Sequence, residues 1–373
     1  MSRVVRGVAW LLSGMAVAAS MVRGVAAQVP SAGAGSYVET YNFSDPAAAG
    51  MKRVSLLTIP LSAEFQPVRW AHVVIRGAFA SGVVDRADGT QRKISGLTDT
   101  ELSVSLPLVQ DRVSIAASLM LPFGKSTYSS DEAQVAGIIA ADVLPFSLTH
   151  WGSGGSLDLS TQAVGTLGAT NVGARLGYQI GREYELLEQD RFAYHPGGEV
   201  YARIAADRDI GDSRMAAQLT VYTFGDDQRN SQNLYRTGNR VQTLLTYSMP
   251  AGRTGRLQTY IGALRREHGT FADGSPDTPA QTMLLAGGGL RSPFRYGVLI
   301  PVMDIRLVSS NDGLGQGYIG DAGLTAEVPV FGGSATLLPS LRARLGTLKV
   351  RAGVTSGITG FELGAGLRWG GSR

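Results

Sequence analysis

The chain has no cysteine among its 373 residues. That excludes a disulfide framework, and it also excludes anchoring through a lipid-modified cysteine. Charged residues are scarce, at 17%, where ordinary soluble proteins carry about 25%. Beyond the N-terminal segment no apolar run approaches the roughly 18 residues of a helical membrane span. The basic excess is small: the formal charge is +4, and Arg3, Arg6 and Arg23 of the N-terminal segment supply most of it. No basic stripe marks a nucleic-acid partner, and no cofactor or nucleotide motif is recognisable. These absences leave two classes, an outer-membrane β-barrel and a soluble periplasmic β-protein.

What is present separates them. Arg3 and Arg6 precede an apolar run from Gly7 to Val22, and Val25-Ala26-Ala27 follows with small residues. The order of charge, apolar run and small residues is that of a secretory signal peptide cleaved after Ala27. Residues 1–27 are therefore expected to be the signal and residues 28–373 a single barrel domain. Glycine is abundant, at 49 residues. From there on, apolar and polar residues alternate. In Leu97–Leu108 the polar set is Asp99, Glu101, Ser103 and Ser105, and the apolar set is Leu102, Val104, Leu106 and Leu108. Successive strand side chains point to opposite faces, so one face is wet and the other greasy. Segments Arg112–Leu121, Asn171–Ile180, Glu199–Asp207, Leu299–Leu307 and Leu337–Leu345 repeat the pattern. Each is about the length of a tilted strand crossing a bilayer.

Short turns near Gln66-Pro67, Gln110-Asp111, Ala169-Thr170, Gly211-Asp212, Pro250–Thr254, Pro293–Arg295 and Phe331–Gly333 alternate with longer polar connections. The longer ones are Asp85–Ser95, Gly124–Gly154, Arg182–Pro196, Gly225–Asn239, Gly269–Ala280 and Ser310–Gln316. Tight periplasmic turns and long outer loops produce this rhythm in an antiparallel transmembrane β-barrel. Keeping every short turn periplasmic requires a first strand at Ser36–Phe43. The strand number is then even, from about 12 to 16, with 16 preferred. Phe361–Trp369 alternates to its aromatic end and resembles the closing strand read by barrel assembly machinery. It is expected to pair with Ser36–Phe43.

In lipid, charges belong on the lumen side. The alternation assigns Arg76, Asp99, Glu101, Arg112, Asp158, Arg175 and Glu199 to a polar lumen. Arg203, Asp207, Asp304, Arg306, Arg342, Arg344 and Glu362 join them. Both signs are interspersed, as in structural ladders. The alternative is that Arg175, Arg203, Arg342 and Arg344 bias the passage of anions. Trp70, Tyr222, Tyr247, Tyr260 and Trp369 lie near strand ends, where girdle aromatics sit. Loop Gly124–Gly154 is too long for a plain connection. Its Val135, Ile138, Ile139, Val143 and Leu144 fit a helical apolar stripe, either as a lid in the barrel mouth or as an extension of neighbouring strands. Gly225-Asp226-Asp227, with Asn230 and Asn233, lacks the spacing of a calcium loop. The four histidines, His72, His150, His195 and His268, form no recognisable catalytic arrangement, and an enzyme is not expected.

Ser95-Gly96-Leu97-Thr98-Asp99-Thr100-Glu101-Leu102, then Leu121-Pro122-Phe123-Gly124-Lys125, then Gly152-Ser153-Gly154-Gly155-Ser156-Leu157-Asp158 follow one another across a hairpin. This order resembles the outer-membrane family named for the meta-pathway of phenol degradation. That family is similar in turn to channels for long-chain fatty acids and aromatic hydrocarbons. The resemblance implies uptake of small apolar or aromatic compounds, by passive diffusion through the barrel. The residues alone leave open a structural or adhesive barrel that works through its outer loops. The expected partners are outer-membrane lipid, the assembly machinery and a small-molecule solute. Protein extracted from membranes should begin at Gln28; intact mass showing a retained Met1–Ala27 would reject the signal.

Overall fold

The computed structural model describes residues 31–68, 70–109, 112–141, 143–189, 192–277, 279–311 and 315–370. The expected signal peptide lies outside these residues. Sixteen antiparallel strands close into a barrel. They are β1 (Ser31–Phe43), β2 (Met51–Val68), β3 (Ala71–Arg86) and β4, which runs in two segments, Gln91–Leu97 and Thr100–Leu108. β5 (Val113–Leu121), β6 (Ser156–Leu167), β7 (Thr170–Gly181), β8 (Glu199–Ile210) and β9 (Ser213–Phe224) follow. β10 (Arg240–Ala251), β11 (Gly255–Arg266), β12 (Gln281–Phe294) and β13 (Gly297–Ser310) come next. β14 (Gly317–Val330), β15 (Ala335–Arg351) and β16 (Val354–Trp369) complete the wall. Each strand pairs with its sequence neighbours, and β16 closes on β1 with Ala32 opposite Trp369 and Thr40 opposite Phe361. The expected terminal pairing is therefore present, with β1 beginning five residues earlier than the alternation indicated.

The two faces differ as the alternation requires. Val38, Leu363, Leu341 and Leu324 are successive partners across four strands, and all are exposed. One residue further along, Arg342 and Glu362 are partners on the opposite face. That face is the concave one, because its side chains meet across an intervening strand. Arg344 on β15 reaches Glu39 on β1 past β16, at 3.0 Å. Tyr260 on β11 donates to Asp304 on β13 past β12. Gly177 permits the same on β7: the Tyr201 ring lies where a side chain at Gly177 would stand, and its hydroxyl donates to Asp158 at 3.1 Å. Tyr222 and Tyr260 therefore face inward. Trp70, Tyr247 and Trp369 remain exposed near strand ends.

Both termini of the described wall and most short turns lie at one end, the periplasmic end by the rule for such barrels. One expected connection differs. Asp85–Ser95 is not a long loop: β3 and β4 meet in a tight turn in which Asp88 Oδ1 accepts from Thr90 N at 2.9 Å. Gly89 there adopts φ +85°, a conformation open to glycine. β15 and β16 are likewise joined at the outer end by a tight turn between Arg351 and Val354. Outside the wall, the longer connections contribute a second sheet from Tyr184–Glu185, Ala193–His195, Asp226–Arg229, Gln232–Arg236 and Thr270–Phe271. Asn230 and Ser231 turn its central hairpin with positive φ. Asp226 is held by Arg236 at 2.7 Å and by Asn233 at 3.0 Å.

An arginine at mid-depth on the lipid face costs about 2–4 kcal/mol. Leu341→Arg should therefore lower folding stability in lipid vesicles by about that amount. A denaturant titration showing no loss would put Leu341 on the wrong face.

Candidate functional site

The barrel interior is divided by one connection, residues 122–155 between β5 and β6. Its helix, α1 (Ser130–Ala140), starts with a capping box. Ser129 Oγ accepts from Glu132 N at 3.3 Å, and Glu132 accepts from Ser129 N at 3.0 Å. Lys125 Nζ adds an ion pair to Glu132 at 2.5 Å. Burial pushes the Glu132 carboxyl up, but the bonds from Lys125 and Ser129 outweigh it and hold the pKa below its ordinary value. α1 packs against β3 and β4. Val135 and Ile139 are fully buried there, and Ile138 is partly buried. Gly82 on β3 is the seat: a methyl group in its place would come within 2.6 Å of Ile139 Cδ1 and 3.1 Å of Trp151. The expected stripe is helical only to Ala140. Val143 and Leu144 lie beyond the helix, where Pro145 disfavours helical geometry at Leu144, yet both still join the apolar cluster with Tyr41, Leu56, Ile94 and Phe146.

Several polar ties hold this segment to the wall. Asp99 is the first. It stands in the break of β4 and is 3% exposed. Its carboxylate accepts from Gly124 N at 3.1 Å, Ser153 N at 2.7 Å and Ser153 Oγ at 2.7 Å, so it joins the two ends of the connection. Trp151 Nε1 donates to the Ala80 carbonyl at 3.2 Å. Glu39 accepts from Ser147 N at 2.9 Å and also from the Ser147 hydroxyl. Glu39 is itself compensated by Arg344, whose Nη2 also bonds Glu362 at 2.6 Å.

The charges assigned to the lumen sort into two groups. On β13–β16, Arg342 lies 3.5 Å from Asp304, 3.6 Å from Asp321 and 3.7 Å from Glu362. With Arg344 and Glu39 these form one network of alternating sign. Arg306 faces inward on the same strand as Asp304. On the other side, Arg76 pairs with Glu101 at 3.7 Å, and Arg175 lies 3.7 Å from Asp158. Asp207 is held by Arg214 at 2.7 Å and Asn171 at 3.2 Å. Arg203 has the Thr220 hydroxyl, at 3.2 Å, as its partner. Glu199 has no basic group within salt-bridge distance among the described residues, and Arg112 sits exposed at a periplasmic turn. Glu39 and Asp321 belong to the inner face by the same alternation but stand in segments where neighbouring tyrosine and glycine obscure the pattern.

Space remains opposite the packed segment. A cavity of about 640 Å³ lies against β3–β9. Ser103, Ser105, Ser114, Ser118, Ser156 and Ser160 line it, together with His72, His150, Tyr201 and Tyr222. A second cavity, of about 910 Å³, opens toward the periplasmic turns, past Asn171, Gly173, Ala205 and Asp207. His72 is bonded to Glu64 at 2.8 Å, and His150 contacts Thr149 at 3.3 Å. His195 contacts the carbonyl of Pro196 at 3.0 Å.

No protein-family model and no curated protein matches the sequence. The resemblance to the meta-pathway family therefore rests on the three quoted stretches. Solved structures do match. OprB of Pseudomonas putida aligns with a TM-score of 0.51 at 11% identity, covering 91% of this chain and 94% of that one. OccK1 of Pseudomonas aeruginosa gives 0.46 at 10%, covering 91% and 98%. An outer-membrane channel from Pseudomonas putida F1 gives 0.41 at 14%, covering 75% and 95%. The chain has the porin-like fold of the bacterial outer membrane.

Hydrogen bonds to a charged group contribute about 1.5–3 kcal/mol each. Asp99→Ala should therefore free residues 122–155 and raise their cleavage by added protease at least ten-fold, with the wall intact. Unchanged protection would show that Asp99 is not the tie.

Proposed function

We propose that this protein is a passive outer-membrane channel for small polar solutes, narrowed by the inward-packed segment 122–155. The observation that carries the reading is the serine-lined space left beside that segment. A filled structural barrel has no need to retain such a space. A solute that sheds water in a narrow bore must recover hydrogen bonds from the wall. Six serine hydroxyls with Gln162 and Gln179 offer them. An apolar solute would gain little from this lining and would leave the wall groups dehydrated.

The segment then acts as a constriction. Its apolar side, through Val135, Ile139 and Leu144, is spent on the wall. The half of the bore that it occupies is closed by packing and by the Glu39–Ser147 bond. Solute is left the half facing β5–β9. A second reading, an adhesive barrel, has the outer five-stranded sheet in its favour. There Tyr194 donates to Asp227 at 2.6 Å. Burial, and then that bond, holds the Tyr194 phenol well above its usual range.

Purified protein in planar bilayers separates the two. A conducting pore is expected, and deleting Ser129–Leu148 should raise its conductance several-fold, with refolding checked by closure of the barrel on a gel. A folded wild type without conductance, or a deletion without effect, would reject the constricted-channel reading.

A further inference from the structure

The geometry points to a paired-guanidinium step for organic carboxylates, made by Arg175 and Arg203 at the waist of the solute path. This inference rests on the channel reading above and deepens it.

Arg175 and Arg203 are direct cross-strand partners on β7 and β8, and both face the interior. Like charges directly opposite each other are destabilising in a sheet. The β13–β16 wall and its closure on β1 also set like charges opposite, Asp304 against Asp321 and Glu362 against Glu39, but Arg342 and Arg344 stand between these carboxylates and neutralise them. The β7–β8 pair has one carboxylate for two guanidiniums, Asp158, 3.7 Å from Arg175. Arg203 lies within salt-bridge distance of no carboxylate among the described residues, and its one hydrogen bond is to Thr220. Arg175 donates to Ser160 at 2.9 Å and has Asp158 at 3.7 Å, while its Nε is enclosed without an acceptor. Asp158 is shared with the Tyr201 hydroxyl.

Position supplies the second observation. Arg175, Arg203 and Gln162 line both interior cavities, the serine-lined one and the one opening to the periplasm. A solute leaving one for the other on this side passes between them. The next inward positions toward the periplasm, Gly173 and Ala205, are small and leave the space beneath the guanidiniums open. Asp207 beyond them is already held by Arg214. Glu101 on the facing wall is bonded to Ser103 and Ser118. Two planar forks with spare donors match the two oxygens of a carboxylate, which a lysine pair would meet only as point charges.

The test uses the full mature protein in planar bilayers. In potassium chloride, the reversal potential should show preference for chloride, and added benzoate should interrupt the current. R175Q/R203Q should weaken that block at least ten-fold and lower the chloride preference, while conductance at high salt stays within two-fold. R175K/R203K should keep the chloride preference and lose most of the block. R342Q, inside the neutralised network, should change neither. Equal block in wild type and R175Q/R203Q would overturn the assignment, as would block by inorganic phosphate but not by benzoate. A wild type that does not conduct would instead remove the channel reading itself.

Discussion

Backbone amides in hydrocarbon have no partner but one another, and the rest of this structure follows from that constraint. An open sheet would leave a row of unsatisfied groups at each edge, each costing several kcal/mol. Pairing of Ser31–Phe43 with Val354–Trp369 removes both edges at once. Closure then separates inside from outside for every strand. Outside must be greasy, hence the row from Val38 to Leu324. Inside is free to be wet, and it collects the arginines, carboxylates and serines that the lipid face rejects.

A barrel of sixteen strands encloses more volume than its own wall side chains fill, and the protein uses that volume unequally. Toward β1–β4 and β14–β16 it is filled by α1 and its flanking chain, seated on Gly82 and sealed by Trp151. The buried charges there are compensated: Glu39 has Arg344 and Ser147, and Asp99 has three donors. An uncompensated charge in that packed region would be costly. Toward β5–β9 the interior stays open. Imperfect compensation is tolerable beside water, and it is there that, among the described residues, Arg203 and Glu199 have no opposite charge within salt-bridge distance. Packing on one side and polar space on the other are thus two consequences of one inserted segment.

Much of the fold was legible in the residues because the membrane imposes a period of two. Alternation with apolar neighbours groups Arg76, Arg175, Arg203, Arg342 and Glu362 on the polar faces of their strands. The terminal pairing follows from parity of the strands. The turn at Asp88-Gly89 was less visible, because the polar residues flanking it, Arg86 and Gln91, belong to strand ends at the outer rim, where polarity no longer signals a loop. Asp99 fits the alternation of Glu101 and Ser103, yet it is withdrawn from the ladder to hold Gly124 and Ser153. A carboxylate bound by backbone amides 25 and 54 residues away carries no local mark.

The sequence by itself determined the class of protein: few charges, no helical span, alternating strands and a terminal amphipathic segment admit little else that is stable in an outer membrane. It also sorted the side chains of each strand into two faces, since parity along a strand is a local property. Only the tertiary structure decided which inward charges are neutralised and which are free. That depends on reach across an intervening strand, from Arg344 to Glu39 or Tyr201 to Asp158, and so on the curvature of the closed wall. The path taken by residues 122–155 was decided in the same way, because an apolar stripe packs equally well on any apolar surface. Gly82, Tyr41 and Leu56 become one such surface only after the barrel has closed.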